Sequence, residues 1–260
     1  MEHNGLKNKV ALITGAGEGI GFAIAQLLTQ HGAKVALNDV DPAKCQAAVE
    51  RLGQTGGTSV LSLPGDASDL TVITAMVHST ASHFGTLDFL VPNAGITLFG
   101  DFLTFAPEDF DKVIALNLKG AFFLVQQATK LWEKQGKGGK VVLMSSQVGI
   151  RAYKNLAAYG MTKAALRMLA KQLAYELAQY RVTINAIAPG ATLTERTKEE
   201  EPDYEGTWSA LNPNGRVGTP LDMAKTCLFL LSEDARHING QTLIVDGGWD
   251  TAGKYPEDLS

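Results

Sequence analysis

The sequence predicts an α/β fold: one domain over residues 1–260, built on a seven-stranded doubly wound parallel sheet with helices on both faces. Three observations lead there. Short apolar runs rich in β-branched residues alternate with helical patterns along the whole length. A glycine-rich turn, Gly15-Ala16-Gly17-Glu18-Gly19-Ile20-Gly21, separates the first such run from the first helical pattern. The 260 residues, 45% of them apolar, suffice to bury a substantial core, and no internal repeat or linker divides them.

Lys9 to Thr14 (KVALIT) reads as a parallel strand covered on both faces. After the glycine turn, Ile20, Ile24, Leu27 and Leu28 share one face of a helix that Gly32 ends, and Lys34 to Asp39 (KVALND) is the next strand. Strand, glycine turn, helix, strand, acid is the order a dinucleotide-binding site requires. The glycines allow a tight turn and close backbone approach, and the helix N-terminus faces a pyrophosphate. Asp39, eighteen residues past Gly21, can accept hydrogen bonds from the adenosine ribose and repel a 2′-phosphate. No arginine or lysine stands in the turn or next to Asp39, and Glu18 adds negative charge, so NAD is expected over NADP. An acid here can instead cap a helix, a role equally open to Asp41 before Pro42.

A helix from Pro42 to Leu52 precedes a strand from Ser59 to Leu63, which ends at Pro64-Gly65-Asp66. Leu70 to Phe84 reads as a helix and Leu87 to Val91 as a strand running into the turn Pro92-Asn93-Ala94-Gly95. From Pro107 to Leu131 a long helical pattern carries Asn117 in its middle. Asparagine is a poor helix-interior residue, so a local irregularity or a buried polar role is expected there. Gly136 to Gly139 precedes a strand and no helix follows it, so it reads as a flexible turn rather than a phosphate loop.

The strand Lys140 to Met144 leads into Ser145 and Ser146, and then into a helical stretch holding Tyr159 and Lys163. Four residues apart on a helix, these two side chains lie on one face. Many helices carry the same pair without any chemistry. A free tyrosine titrates near pH ~10, and a fixed ammonium beside it favours the phenolate. With Ser146 thirteen residues upstream, the three can form a proton-transfer site for a carbinol or carbonyl. Val182 to Ala188 is a sixth strand, ending at Pro189-Gly190. The stretch from Ala191 to Gly215 is polar and without clear periodicity, which marks a substrate lid or binding loop at about 191–216. A helix from Leu221 to Leu231, a strand from Gln241 to Val245, Asp246-Gly247-Gly248 and a polar tail finish the chain.

The formal net charge of −4 leaves no basic footprint for nucleic acid. Cys45 and Cys227 are isolated, and the five histidines show no metal-binding spacing, so neither a disulfide framework nor a zinc site is expected. The N-terminal stretch has no charged-then-apolar signal pattern and no apolar run matches a membrane span, so a cytoplasmic location is expected.

Taken in order, Thr14-Gly15-x-x-x-Gly19-Ile20-Gly21, Asp66, Asn93-Ala94-Gly95, Asn117, Ser146, Tyr159-x-x-x-Lys163, Pro189-Gly190 and Gly240-Gln241…Asp246-Gly247-Gly248 resemble the short-chain dehydrogenase/reductase superfamily over nearly the whole chain. Pro92 departs from the asparagine many relatives carry, which removes a backbone donor. The resemblance implies a Rossmann sheet binding a nicotinamide cofactor, with Asn117, Ser146, Tyr159 and Lys163 as catalytic tetrad. In it Tyr159 is the acid/base, Ser146 holds the substrate oxygen, Lys163 binds the nicotinamide ribose and lowers the tyrosine pKa, and Asn117 holds a water of the proton relay. It further implies cofactor contacts from Gly15, Gly19 and Ile20, from Asp66 and Ala67 at the adenine, from Asn93 and Gly95, and from Pro189, Gly190, Thr192 and Thr194. Thr194 takes the carboxamide.

These readings converge on an NAD-dependent oxidoreductase for a secondary alcohol or ketone, with a sugar or polyol as the expected substrate. Trp208, Trp249 and Tyr255 offer stacking surfaces for sugar C–H groups, though packing explains each equally well. Reduction of 3-oxoacyl thioesters is the alternative within the family, and a cofactor-binding scaffold without catalysis the alternative outside it. The acids Glu195, Glu199, Glu200, Glu201, Asp203 and Glu205, against Arg196 and Lys198, favour a neutral polyhydroxylated substrate. Arg151, Lys154 and Arg216 weigh against that, Arg151 as a bidentate partner for an anion. Apolar residues on the helices of Asn117 and Tyr159, including Phe122, Phe123, Leu166, Met168 and Leu169, lead to the expectation of a homo-oligomer, a tetramer by family habit.

Overall fold

The apolar runs form seven parallel strands in a computed structural model that describes residues 5–54 and 59–252. They are β1 (Val10–Ile13), β2 (Lys34–Leu37), β3 (Val60–Ser62), β4 (Phe89–Val91), β5 (Gly139–Met144), β6 (Val182–Pro189) and β7 (Thr242–Val245), in the spatial order β3-β2-β1-β4-β5-β6-β7. The order reverses between β1 and β4, whose pairing sets Ile13 beside Val91. Ligands of open α/β sheets bind in the crevice outside the strand ends at such a reversal.

Alternation along β1 explains why both faces are covered. Ala11 and Ile13 pack under α1 (Gly19–Gln30), α2 (Pro42–Gly53) and α9 (Pro220–Leu231), with Ile24, Leu28, Leu52, Met223 and Leu228 in that core. Leu12 points to the other core, with α3 (Leu70–Phe84), α5 (Ala121–Gln135) and α6 (Ala157–Glu176). Trp132, fully buried there, donates its indole N–H to the Leu87 carbonyl at 2.7 Å. Its truncation to alanine is of the class that costs about 3–5 kcal/mol.

The long helix expected from Pro107 to Leu131 is broken at the asparagine. α4 (Pro107–Ile114) passes through a π-helical turn, Ala115–Gly120, into α5. Asn117 is 1% exposed, and Gly120 lets the turn lie against the Ala67 carbonyl, where a Cβ has no room.

The stretch read as irregular contains two short helices, α7 (Glu195–Glu200) and α8 (Tyr204–Leu211). Six and eight residues are too few to show a 3.6-residue repeat. α7 starts in a reciprocal cap, Thr194 Oγ1 accepting the Thr197 N–H while Thr197 Oγ1 accepts the Thr194 N–H. The chain was read as finishing in a polar tail; at its start Trp249–Ala252 forms a further helical turn, α10, with Trp249 3% exposed. Trp208, Leu211, Val217 and Trp249 make a third, small core. Tyr255 lies outside the described residues.

Of the residues expected to pair subunits, Leu166 is spent on the core at 1% exposure, and Phe123 and Leu169 are partly buried against it. Phe122 and Met168 remain exposed, at 40% and 61%. Among the described residues, no helix is long and apolar enough to cross a membrane, and no group of three His, Cys, Asp or Glu side chains is placed to hold a metal.

Candidate active site

The glycine turn and the turn after β4 are laced together at the sheet reversal. Thr14 Oγ1 accepts the N–H groups of Asn93 and Ala94, both at 3.1 Å, and Asn93 Nδ2 donates to the carbonyls of Thr14 (3.0 Å) and Gly15 (2.8 Å). Gly15 has φ +61°, and a Cβ on it would stand 2.8 Å from the Ala94 Cα, so only glycine fits both the conformation and the approach. Pro92 still joins the sheet through its acceptor: its carbonyl takes the Met144 N–H at 3.3 Å.

The first amides of α1 receive no side-chain cap from Glu18, which precedes the helix. Instead Glu195, from α7 across the groove, accepts the Gly19 N–H at 3.2 Å. A carboxylate thus occupies the position at which a helix N-terminus receives a phosphate oxygen. With the close approaches at Gly15, this makes the turn a fit cradle for the pyrophosphate of a dinucleotide.

Asp41 caps α2, accepting the N–H groups of Ala43 (2.8 Å) and Lys44 (3.3 Å). Asp39 is thereby left to face the glycine turn: its Oδ2 accepts the Gly17 N–H at 3.1 Å and its Oδ1 the Asp41 N–H at 3.1 Å. The expectation that no cation stands nearby needs correction. Lys44 comes back to the turn from the first turn of α2, and its Nζ meets Glu18 Oε1 at 2.8 Å. Adjacency in the chain was the wrong test, because α2 begins only at Pro42 and points its first turn at Gly17. The hydrogen bond to Glu18, then the charges of Glu18, Asp39 and Asp41, raise the lysine pKa. Asp66 accepts the Ser68 N–H at 2.8 Å, and Ala67 is 8% exposed; both lie outside the wall of the cavity described below, as do Asp39 and Asn117.

Ser146 follows β5 and accepts the Val148 N–H at 3.2 Å, which opens a short 3₁₀ turn. Its neighbour Ser145 donates to the Lys163 carbonyl at 2.7 Å, tying the strand end to α6. Lys163 is 4% exposed, donates from Nζ to the Met144 carbonyl at 2.9 Å, and lies 5.5 Å from the Tyr159 ring centroid. Burial pulls its pKa down, Tyr159 opposes that, and the charge of Arg196 adds to it. Asn117 clamps the chain after the Gly95 turn, Oδ1 accepting the Ile96 N–H (2.8 Å) and Nδ2 donating to the Ile96 carbonyl (2.9 Å). A Cβ on Gly95 would press on both Asn117 Oδ1 (3.1 Å) and Lys163 Nζ (3.3 Å).

One cavity of about 590 Å³ runs past these groups. Its wall takes in Gly15, Gly19, Ile20, Asn93 and Gly95 at the nucleotide end, then Ser146, Tyr159 and Lys163, then Pro189, Gly190, Thr192 and Thr194. Beyond them stand Tyr153, Tyr204, Trp208 and Trp249. Trp208 is the hub of these rings, its centroid 5.0 Å from that of Trp249, 5.8 Å from Tyr204 and 6.3 Å from Tyr153. Burial pushes the Tyr204 phenol well above its usual range, so it is neutral at physiological pH. Gln147 Oε1 and Trp208 Nε1 are buried without hydrogen-bond partners. Arg151, weighed as an anion receptor, instead donates from Nη1 to the Asp250 carbonyl at 2.6 Å and holds α10. Arg196 is a cation of the cavity wall, 3.5 Å from Glu200. Tyr153, Tyr204, Gln147 and Lys44 escaped the sequence reading. The crowding of aromatics between 204 and 208 was the available signal for one of them.

A family model described as enoyl-(acyl carrier protein) reductase matches residues 15–250. The chain is 35% identical over 247 residues to 2-dehydro-3-deoxy-D-gluconate 5-dehydrogenase of Dickeya dadantii (strain 3937), covering 94% of this chain and 96% of that one. It is 36% identical to L-rhamnose 1-dehydrogenase (NAD(P)(+)) of Sphingomonas sp. (strain SKA58), with 94% and 96% covered. The crystal structure of levodione reductase superposes with a TM-score of 0.88 at 34% identity, over 95% of this chain and 99% of that one. With the sheet order and the motifs above, these matches make the chain a member of the short-chain dehydrogenase/reductase superfamily, an oxidoreductase family using a nicotinamide cofactor.

Proposed function

We propose that the chain interconverts a secondary alcohol and a ketone on a neutral sugar or polyol, preferring NAD. The observation that carries this reading is the single cavity joining the glycine turn, the Ser146–Tyr159–Lys163 group and an aromatic wall. When bound, the cofactor supplies or accepts the hydride at the carbinol carbon. In the oxidation direction, Tyr159 takes the hydroxyl proton of the substrate, and Ser146 Oγ donates a hydrogen bond to the same oxygen. Lys163, anchored on the Met144 carbonyl, presents its charge to the phenol and favours the phenolate during the transfer. Asn117 positions the Gly95–Ile96 segment by its two backbone hydrogen bonds and so keeps the cofactor groove open.

The aromatic rings suit the C–H faces of a sugar, and a dehydrogenase of the neutral sugar rhamnose stands among the relatives, beside one that acts on a gluconate, a sugar acid. The second reading is reduction of a 3-oxoacyl thioester, and the family description names a reduction on the same carrier but of an enoyl group; Glu195, Glu200 and Glu201 in the cavity wall speak against docking an acidic carrier protein. The exposed Phe122 and Met168 support a homo-oligomer paired through α5 and α6, which sedimentation at micromolar concentration tests. A panel of sugars, polyols, simple alcohols and a 3-oxoacyl thioester, each with NAD and NADP, tests the activity. Turnover of the thioester with NADPH and of no sugar or polyol would replace this reading with the second.

A further inference from the structure

We propose that Lys44 is a built-in receptor for a 2′-phosphate, held away from it by Glu18, so that the Glu18–Lys44 pair sets the choice between NAD and NADP together with Asp39. The inference rests on dinucleotide binding at the glycine turn. The three residues meet at one point of the fold. Asp39 Oδ2 holds the Gly17 N–H at 3.1 Å, and a Cβ on Gly17 would lie 2.7 Å from Asp39 Oδ2 and 2.9 Å from the Lys44 Cβ. The lysine stem therefore crosses the turn beside the carboxylate that addresses the ribose, and its ammonium ends on Glu18 at 2.8 Å.

Charge decides what this cluster accepts. Glu18, Asp39 and Asp41 surround the Lys44 ammonium with more negative charge than it carries, so the cluster repels a 2′-phosphate, which brings nearly two further negative charges near neutral pH. The Lys44 and Glu18 side chains are 48% and 39% exposed. Ion pairs so open to water add little to stability, so the pair is easily exchanged for another partner. A lysine ammonium on a flexible four-carbon stem can follow a phosphate that replaces the glutamate. What withholds it is the neighbouring carboxylate of the glycine turn, and Glu18→Gln removes that charge while keeping the side chain's shape.

The test is equilibrium binding, followed by calorimetry, of NAD, NADP, 5′-ADP and 2′,5′-ADP to the wild type, Glu18→Gln, Lys44→Met and the double variant. Glu18→Gln is expected to raise the affinity ratio of NADP to NAD, and of 2′,5′-ADP to 5′-ADP, by about ten-fold, equivalent to ~1.4 kcal/mol. Lys44→Met in the same chain is expected to cancel that gain. Unchanged ratios in Glu18→Gln, or a gain that survives Lys44→Met, overturn the proposal while leaving dinucleotide binding in place. If neither NAD nor NADP binds the wild type, the functional reading fails and this inference with it.

Discussion

At the nucleotide end of the cavity side chains bind backbone, whereas at the substrate end side chain meets side chain. A Cβ on Gly15 would meet the Ala94 main chain, and the Thr14 hydroxyl and the Asn93 amide bind main-chain groups of the two turns they join. Across the cavity, Trp208, Trp249, Tyr153 and Tyr204 form a wall of rings, with the polar atoms Gln147 Oε1 and Trp208 Nε1 left unpaired. A surface made of backbone is set by φ, ψ and glycine placement and suits an invariant ligand portion such as a pyrophosphate. A surface made of side chains can be re-cut by substitution, and unpaired buried polar atoms cost about 1–3 kcal/mol each until a ligand or water satisfies them.

Tyr159 stands where the ends meet, and its loss should have the largest effect. Tyr159→Phe is expected to lower kcat at least ~100-fold while cofactor affinity and thermal unfolding stay as in the wild type. Retention of more than a tenth of the activity would remove the phenol from the mechanism.

The contrast between the ends is tested by a pair of substitutions. Gly15→Ala is expected to weaken cofactor binding roughly ten-fold, since a left-handed alanine and the displaced Ala94 cost of order 1–3 kcal/mol. Trp208→Phe is expected to raise the substrate KM and leave the cofactor Kd alone. A cofactor effect at Trp208 as large as that at Gly15 would break the division.

Glu195 crosses the division, because its carboxylate sits on the α1 amide that a phosphate oxygen would take. Glu195→Gln is expected to tighten cofactor binding about two- to five-fold, the size of a helix-terminus charge interaction of 0.3–1 kcal/mol. An unchanged Kd by fluorescence titration would show that this contact yields without cost.

The smallest effect is expected where the substrate segment rejoins the sheet. Arg216 pairs with Asp222 through both guanidinium nitrogens, at 2.7 and 2.9 Å, and Asp222 also closes the cap of α9 with Thr219. Arg216, with Thr219, holds the Asp222 carboxyl well below the usual carboxylate range. The stabilisation is therefore present above an ordinary carboxylate pKa near ~4 and fades as pH falls below it. Asp222→Asn is expected to cost about 1 kcal/mol at pH 7, the usual size for a lost cap, with water screening keeping it low. Denaturant unfolding at pH 7 and pH 3 checks this: the gap between variant and wild type should narrow at pH 3 without closing, because the paired Asp222 carboxyl stays ionised below the usual carboxylate range.

The strands, the sheet class and most helices were legible because their signals are local. Each strand is a short, mostly apolar run, Gly15 and Gly19 mark left-handed turns, and Asn117 in an apolar helix pointed to an irregularity or a buried polar role, which the π-helical turn and its burial supply. The same holds for Tyr159 and Lys163, whose spacing on a helix sets their proximity within one turn. The ranges 195–211 and 249–252 were not legible, since short helices carry caps and too little periodicity. Lys44 beside Glu18, Glu195 on the Gly19 amide and Arg151 under α10 are separated by 26, 176 and 99 residues, and no spacing rule reaches across such gaps. Which charges meet in the cavity depends on how distant helices pack. That packing is governed by burial and shape of the whole core, while the backbone conformation of a glycine turn is governed by the residues within it.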